Sequence, residues 1–120
     1  MLADLHGVCA ELLTDVERIE AILMRAACAA GATPLFGKFH QFGAGQGITG
    51  VLLLQESHIS IHTWPEFGFA AVDAFMCGDC RPQLAVDIIR SALQPASFQL
   101  KEELRGPSHP AAFSARLPRS

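Results

Sequence analysis

Hydrophobic residues recur at helical spacing in two segments of the chain, and each segment predicts an amphipathic helix. The first stripe consists of Val16, Ile19, Leu23, Ala26, Ala27 and Ala30. It follows Thr14-Asp15-Val16-Glu17, a capping-box pattern in which the Thr14 hydroxyl binds a free backbone N–H and Glu17 reaches back. Gly31 stands where the residue after a helix C-cap belongs. The second helix is predicted over Pro82–Leu93, because Pro82 suits a first helical position.

Five further segments alternate apolar with polar residues or are continuously apolar, and each predicts a strand. In chain order the predicted strands are Pro34–Phe42, Ile48–Gln55, Ile59–Thr63, Phe69–Met76 and Ser97–Leu104. The glycine-rich residues 43–47 turn the chain between the first two, and Pro65 and Gly68 lie between the third and fourth. The pattern over Leu2–Leu13 is less regular and leaves a short strand open.

Two helices with strands in consecutive runs predict an α+β fold, a two-layer sandwich with an antiparallel-type sheet and both main helices on one face. The strands at 48–55 and 69–76 are apolar on both faces, so the face away from the helices also needs cover. We predict one domain over residues 1–106 and a loose tail over residues 107–120, which is too short to provide that cover. A homodimer packed sheet to sheet is therefore expected.

Composition narrows the classes of function. Half of the 120 residues are hydrophobic and the formal net charge is −3. A disordered chain is excluded, and a nucleic-acid partner is not expected because proteins that follow phosphates are normally basic. We expect neither a secretory leader nor a membrane span, since the longest apolar runs are about five residues. Four cysteines are few for a disulfide scaffold, which indicates a cytoplasmic protein.

Metal binding is not expected from the cysteines and histidines. Cys77 and Cys80 form a Cys-x-x-Cys pair, but a zinc site needs a second pair of ligands at similar spacing. His58 and His62 would share one face of a helix, yet they alternate with isoleucines as strand residues do. No Gly-x-Ser-x-Gly sequence surrounds Ser57, so a hydrolase triad is not indicated either. The residues by themselves indicate a polar strand face at a pocket.

The run ESHISIHTWPE, residues 56–66, resembles the signature of the prokaryotic S-adenosylmethionine decarboxylase proenzymes. The likeness continues through Ala71–Asp79 and extends back through Gly47–Gly50 to Ala29–Thr33. It implies autocatalytic cleavage between Glu56 and Ser57, which yields a β chain of residues 1–56 and an α chain of residues 57–120. The implied activity is decarboxylation of S-adenosylmethionine, whose product donates aminopropyl groups for spermidine synthesis.

The resemblance also implies the cofactor and the role of each site residue. Ser57 becomes a covalent pyruvoyl group that forms a Schiff base with the substrate, His62 accepts a proton during processing, and Cys77 donates a proton during decarboxylation. Processing is supported by Thr49 and His58, and substrate is bound by Phe42, Trp64 and Glu66. Aromatic rings suit both the adenine and the sulfonium of the substrate.

Strand alternation places Ser57 on the side opposite His62, so we predict a departure from β geometry at Glu56–Ser57. Asp73 lies in an apolar strand, would need a partner if buried, and is given no role. Two alternatives stay open at this point. The same scaffold could decarboxylate arginine or ornithine, or the chain could be an interaction protein that keeps the fold without processing itself.

Overall fold

Within residues 1–76, 78–103 and 105, which the computed structural model describes, six strands form one sheet. Every neighbouring pair is antiparallel, and the strand order is β2-β3-β4-β5-β1-β6. The strands are β1 (Leu2–His6), β2 (Pro34–Gln41), β3 (Ile48–Leu54), β4 (Ser57–Trp64), β5 (Phe69–Phe75) and β6 (Ser97–Lys101). The segment that was left open at the sequence level thus contains β1, and β1 lies between two strands from the second half of the chain.

Three helices accompany the sheet: α1 (Ala10–Leu13), α2 (Val16–Ala29) and α3 (Pro82–Leu93). A short 3-10 turn over Pro65–Phe67 joins β4 to β5. The apolar stripes of α2 and α3 pack on one face of the sheet, and the core between the two layers is almost entirely aliphatic. The predicted α+β sandwich is confirmed, including both main helices on one face. No helix in the described part of the chain is long and apolar enough to cross a membrane.

The start of α2 differs from the predicted capping box. Asp15 is the N-cap, and its Oδ1 accepts a hydrogen bond from the Arg18 backbone N–H at 3.1 Å. The Thr14 hydroxyl instead donates to the Glu11 carbonyl at 3.4 Å, in the turn that ends α1. The Thr14 box was wrong because the helix begins one residue later, where an aspartate caps equally well. As predicted, Gly31 follows the C-cap, and it adopts the left-handed region at φ 85° and closes a Schellman motif.

The second face of the sheet carries no helix within the described residues. We call it the open face, and its residues on the central strands are Thr49, Val51, Leu53, His58, Ser60, His62, Trp64, Phe69, Ala71, Asp73 and Phe75. Large apolar side chains stand exposed on it, among them Phe36, Leu53 and Trp64. The predicted need for cover on this face therefore persists in the single chain.

Strand bounds agree with the predictions to within about three residues, and the difference at β4 bears on the site. β4 begins at Ser57, two residues earlier than predicted, so the serine belongs to the strand. The predicted tail over residues 107–120 and the predicted proton donor Cys77 lie outside the described residues.

Candidate functional site

A tight hairpin joins β3 to β4 at the predicted cleavage position. Leu54 pairs with Ser57 across the two strands, so Gln55 and Glu56 alone form the turn. Glu56 has φ 62°, in the left-handed region, where a residue with a Cβ is strained by about 1–2 kcal/mol. The Ser57 hydroxyl donates to the Gln55 carbonyl at 3.4 Å. The bond between Glu56 and Ser57 thus follows directly on a strained residue, and the predicted departure from β geometry is confirmed at Glu56.

The departure does not extend to Ser57. Its side chain follows the alternation of Ile59 and Ile61, which point towards the helices, whereas His62 points to the open face. His62 also lies five positions after Ser57 on an extended strand, roughly 16 Å along β4. One chain therefore does not bring the predicted base to the predicted processing serine.

Five of the other predicted residues do meet, at the opposite end of β4. A cavity of about 320 Å³ is lined there by Phe42, Gln46, Gly47, Thr49, His62, Thr63, Trp64 and Glu66. Three of its members were predicted to bind substrate, namely Phe42, Trp64 and Glu66, and two were predicted to process the chain. A second open-face cavity of about 460 Å³ lies beside it and shares His62. We call the 320 Å³ cavity the aromatic cavity.

His62 is held in place by its neighbour across the sheet. Thr49 pairs with His62 in the β3–β4 register, and the Thr49 Oγ1 lies 3.1 Å from the imidazole Nδ1. In the tautomer with the proton on Nδ1, the imidazole donates to the hydroxyl and leaves the lone pair of Nε2 to act as a base. The imidazole also lies against Trp64, with ring centroids 6.1 Å apart.

Thr63 is a positioning residue that sequence reasoning missed. Its hydroxyl is buried, accepts from the Ile48 N–H at 2.8 Å and donates to the Leu13 carbonyl at 2.8 Å. These bonds fix the end of β4 against β3 and α1, so that His62 and Trp64 on either side point to the open face. The available signal was a threonine at a position where the inward alternation of isoleucines calls for an apolar residue.

The rim of the aromatic cavity is shaped by the loop between β2 and β3. Gln41 Nε2 donates to the carbonyls of Thr14 at 2.8 Å and Gln46 at 3.1 Å, which anchors the loop to the end of α1. Phe42 stands well exposed on this loop. A Cβ at Gly47 would lie 2.2 Å from the Thr63 carbonyl oxygen, so only glycine fits this close approach of two strands.

His58 occupies the open face at the far end of β4 from the aromatic cavity. Its imidazole Nε2 lies 3.7 Å from Asp73 Oδ2 on β5, a separation at which opposite charges attract. The predicted site residues therefore form two groups on one strand, with Glu56, Ser57 and His58 at its start and the aromatic cavity at its end. Among the described residues, no group of three or more His, Cys, Asp or Glu side chains could hold a metal ion.

Comparison with known proteins identifies the family. The family model described as S-adenosylmethionine decarboxylase matches residues 1–106. This chain belongs to the S-adenosylmethionine decarboxylase family. It is 49% identical over 107 residues to the S-adenosylmethionine decarboxylase proenzyme of Carboxydothermus hydrogenoformans, a match that covers 88% of this chain and 84% of that relative.

Other members agree in both sequence and structure. The proenzyme of Caldanaerobacter subterraneus is 44% identical over 107 residues, covering 88% of this chain and 86% of that protein. The crystal structure of the adenosylmethionine decarboxylase from Aquifex aeolicus superimposes with a TM-score of 0.74 at 38% identity, covering 88% of this chain and 93% of that one. The resemblance predicted from the signature at residues 56–66 is confirmed.

Proposed function

We propose that this member of the S-adenosylmethionine decarboxylase family cuts itself between Glu56 and Ser57 and then decarboxylates S-adenosylmethionine through a pyruvoyl group made from Ser57. The observation that carries the proposal is the left-handed conformation of Glu56, directly before the serine, in a chain whose relatives are named as proenzymes. Because an amide is more stable than an ester, strain in the amide is what such a rearrangement requires.

The processing chemistry follows from Ser57 and the groups that act on it. The Ser57 Oγ bonds to the Glu56 carbonyl carbon, the C–N bond breaks, and an ester replaces the amide. Removal of the Ser57 α-proton by an imidazole then breaks the Cβ–Oγ bond and releases residues 1–56 with a free Glu56 carboxylate. Hydrolysis at position 57 frees ammonia and leaves the pyruvoyl carbonyl. This carbonyl supplies the electron sink for loss of CO₂, so no other cofactor is needed.

A second copy of the chain provides the base in our proposal. His62 lies on the opposite side of the strand from the Ser57 side chain and roughly 16 Å along it, too far for proton transfer within one chain. Two chains packed with their open faces together, related by a twofold axis, would place each aromatic cavity against the partner's Glu56–Ser57 bond. The apolar side chains exposed on that face, such as Phe36 and Leu53, support the same arrangement.

Substrate choice depends on the aromatic cavity. Phe42 and Trp64 offer ring faces to adenine and to the sulfonium, and Glu66 offers a carboxylate to the ribose hydroxyls or to the positive charge. Arginine and ornithine contain no nucleobase that could stack on these rings, and the relatives are named for S-adenosylmethionine. We assign the proton donation that completes decarboxylation to Cys77, by resemblance. The activity belongs in the cytoplasm, whose reducing conditions suit a chain in which Cys9 and Cys28 form no disulfide.

An intact mass spectrum of the purified protein tests the proposal. We expect two fragments, residues 1–56 and residues 57–120, with the larger one blocked at its N-terminus and reactive towards phenylhydrazine. The cut protein should then release CO₂ from S-adenosylmethionine and not from arginine or ornithine. A chain that stays whole and carries no reactive carbonyl would contradict the processing, and turnover of arginine or ornithine alone would contradict the substrate.

A further inference from the structure

Trp64 forms the boundary between two cavities at the end of β4. On one side lies the aromatic cavity, and on the other a cavity of about 410 Å³ is lined by His6, Trp64, Phe67 and Phe69. Trp64 is the one described residue that lines both. It is 39% exposed, so the orientation of its indole depends on the side chains beside it rather than on burial.

The ring of Phe69 lies against the indole from the side of the 410 Å³ cavity. The two ring centroids are 5.4 Å apart, and 34° separates the ring planes. Phe69 is the cross-strand partner of Trp64, in the β4–β5 pair closest to the turn. The ring of His6, at the end of β1, lies 5.0 Å from the ring of Phe69. Three rings from three neighbouring strands therefore form a row, and the indole is the end of the row that borders the aromatic cavity.

The backbone that carries this row is fixed at the turn between β4 and β5. Gly68 has φ 60°, and its carbonyl accepts a hydrogen bond from the Val8 N–H at 2.8 Å. A Cβ at Gly68 would lie 3.0 Å from the Val8 carbonyl oxygen, so the turn and the segment after β1 are in close contact. Trp64 and Phe69 flank this turn on either side. Their backbone positions are thus set without the rings, and the rings determine the orientation of the side chains.

We propose that Phe69 is a positioning residue for substrate binding, which holds the Trp64 indole at the angle at which adenine stacks on it and is itself supported by His6. This inference rests on the proposed function, in which Trp64 offers a ring face to adenine. An indole that turned freely would present that face only part of the time, and affinity falls by the fraction of time that the competent orientation is populated. Phe69 does not line the aromatic cavity and acts through the indole.

The KM for S-adenosylmethionine in Phe69→Leu tests the inference, with Phe67→Leu as the matched control. Both phenylalanines line the 410 Å³ cavity, but Phe67 lies in the 3-10 turn and is 75% exposed. An aromatic pair shifts an equilibrium by about two- to tenfold, so we expect KM to rise about fivefold in Phe69→Leu and to stay unchanged in Phe67→Leu. The kcat and the half-time of self-cleavage should not change in either variant, because the orientation of the indole affects binding and not the chemistry at position 57.

Fluorescence reports on the indole directly, because Trp64 is the single tryptophan of the chain. The measurement uses Ser57→Ala chains, so that it does not depend on self-cleavage. In these chains Phe69→Leu should lower the fluorescence anisotropy of the indole and weaken the quenching by added adenosine about fivefold in Kd. Phe69→Tyr keeps the ring and should restore both values, and Phe67→Leu should alter neither.

A double mutant separates positioning from a general structural effect. If Phe69 acts through Trp64, then Phe69→Leu in a Trp64→Leu background adds no further rise in KM, whereas independent effects would multiply. An unchanged KM in Phe69→Leu, an equal rise in Phe67→Leu, or full additivity with Trp64→Leu would overturn the inference.

Folding and the parent proposal are controlled separately. Circular dichroism melting curves show whether each variant folds, and if Phe69→Leu does not, His6→Ala takes its place, since His6 is exposed. That variant must raise KM by about twofold and lower the anisotropy of Trp64, and unaltered values would refute the role of Phe69. If the unmodified protein releases no CO₂ from S-adenosylmethionine, the proposed function fails, an outcome distinct from a normal KM in Phe69→Leu.

Discussion

The hydroxyl of Thr63 takes part in two hydrogen bonds beneath the aromatic cavity. At 5% exposure it is the one polar residue among the buried residues of the described chain. Its two partners are backbone groups of β3 and α1, which have few alternatives once water is excluded. A single side chain therefore fixes the orientation of the strand end that carries His62 and Trp64.

Replacing Thr63 with valine keeps the shape of the side chain and removes both bonds. We expect the free energy of unfolding to fall by about 2–4 kcal/mol, because a buried donor and a buried acceptor lose their partners. Thr63→Ser keeps the hydroxyl, loses one methyl group and should cost about 1 kcal/mol. Urea unfolding in a Ser57→Ala background, which we expect to remain uncut, measures both. Equal losses in the two variants would show that the hydroxyl contributes little.

Replacing Cys77 should affect the proposed decarboxylation and leave the proposed self-cleavage intact. Cys77→Ala should leave cleavage between Glu56 and Ser57 nearly unchanged, because our mechanism for the cut uses no thiol. Release of CO₂ from S-adenosylmethionine should fall by about 100-fold or more, the usual range for loss of a general acid. Fragment masses and labelled CO₂ provide the two measurements. Normal turnover in this variant would remove Cys77 from the mechanism.

The β3–β4 hairpin holds both the strained backbone of Glu56 and the bond that we propose is cut. Glu56→Gly adopts φ near 62° without the penalty that a Cβ brings, so the amide loses part of its destabilisation. We expect cleavage to slow by about fivefold, equivalent to about 1 kcal/mol of strain. Glu56→Ala removes the carboxylate but keeps the Cβ, so the difference between the two variants isolates the backbone. Identical rates in both would argue against strain as a driving force.

At the scale of helices and strands, the hydrophobic pattern predicted most of the structure. α3 has its predicted bounds, and β2, β3 and β5 each end within one residue of the prediction, because periodic apolar positions report directly on a buried face. The start of α2 was misplaced because adjacent Thr14 and Asp15 are both good caps, and only the backbone path decides between them. The place of β1 between β5 and β6 depends on long-range pairing that local patterns do not encode.

The candidate site also has a part that could be predicted from the sequence and a part that could not. Sequence resemblance picked out five of the eight residues that line the aromatic cavity. The departure from β geometry predicted at Glu56–Ser57 is found at Glu56 only, and Ser57 keeps the simple alternation that places it on the side opposite His62. The hydrogen-bond partners of Thr63 and Asp73 were not predictable, because Leu13 and Arg105 lie 50 and 32 residues away in the chain.

For the whole molecule, the open face is the feature that decides how the site is completed. One chain presents the proposed cleavage site at one end of β4 and the proposed base, His62, near the other end. In the dimer that we propose, twofold packing of two open faces would turn this separation into two complete sites, each built from both copies.

Mixed dimers test the shared site. Ser57→Ala chains keep His62 but have no serine to rearrange, and His62→Ala chains keep the serine but lack the base. We expect each variant alone to stay whole, whereas co-expression should yield cleaved His62→Ala chains, because the partner provides the imidazole. Tags of different mass identify which chain is cut. If no chain is cut in the mixture, His62 does not act across the interface.

The position of β1 also determines whether the two products of the proposed cleavage stay together. Residues 1–56 contribute β1, β2 and β3, and the remainder contributes β4, β5 and β6. Three of the five strand pairings, β3–β4, β5–β1 and β1–β6, thus join one product to the other. The strands of the two products therefore alternate within one sheet, and cleavage between Glu56 and Ser57 opens only the two-residue turn between β3 and β4. Under the proposed cleavage, the protein would break one bond of its own backbone and keep its fold, while the new terminus at position 57 would gain the freedom to leave the strand.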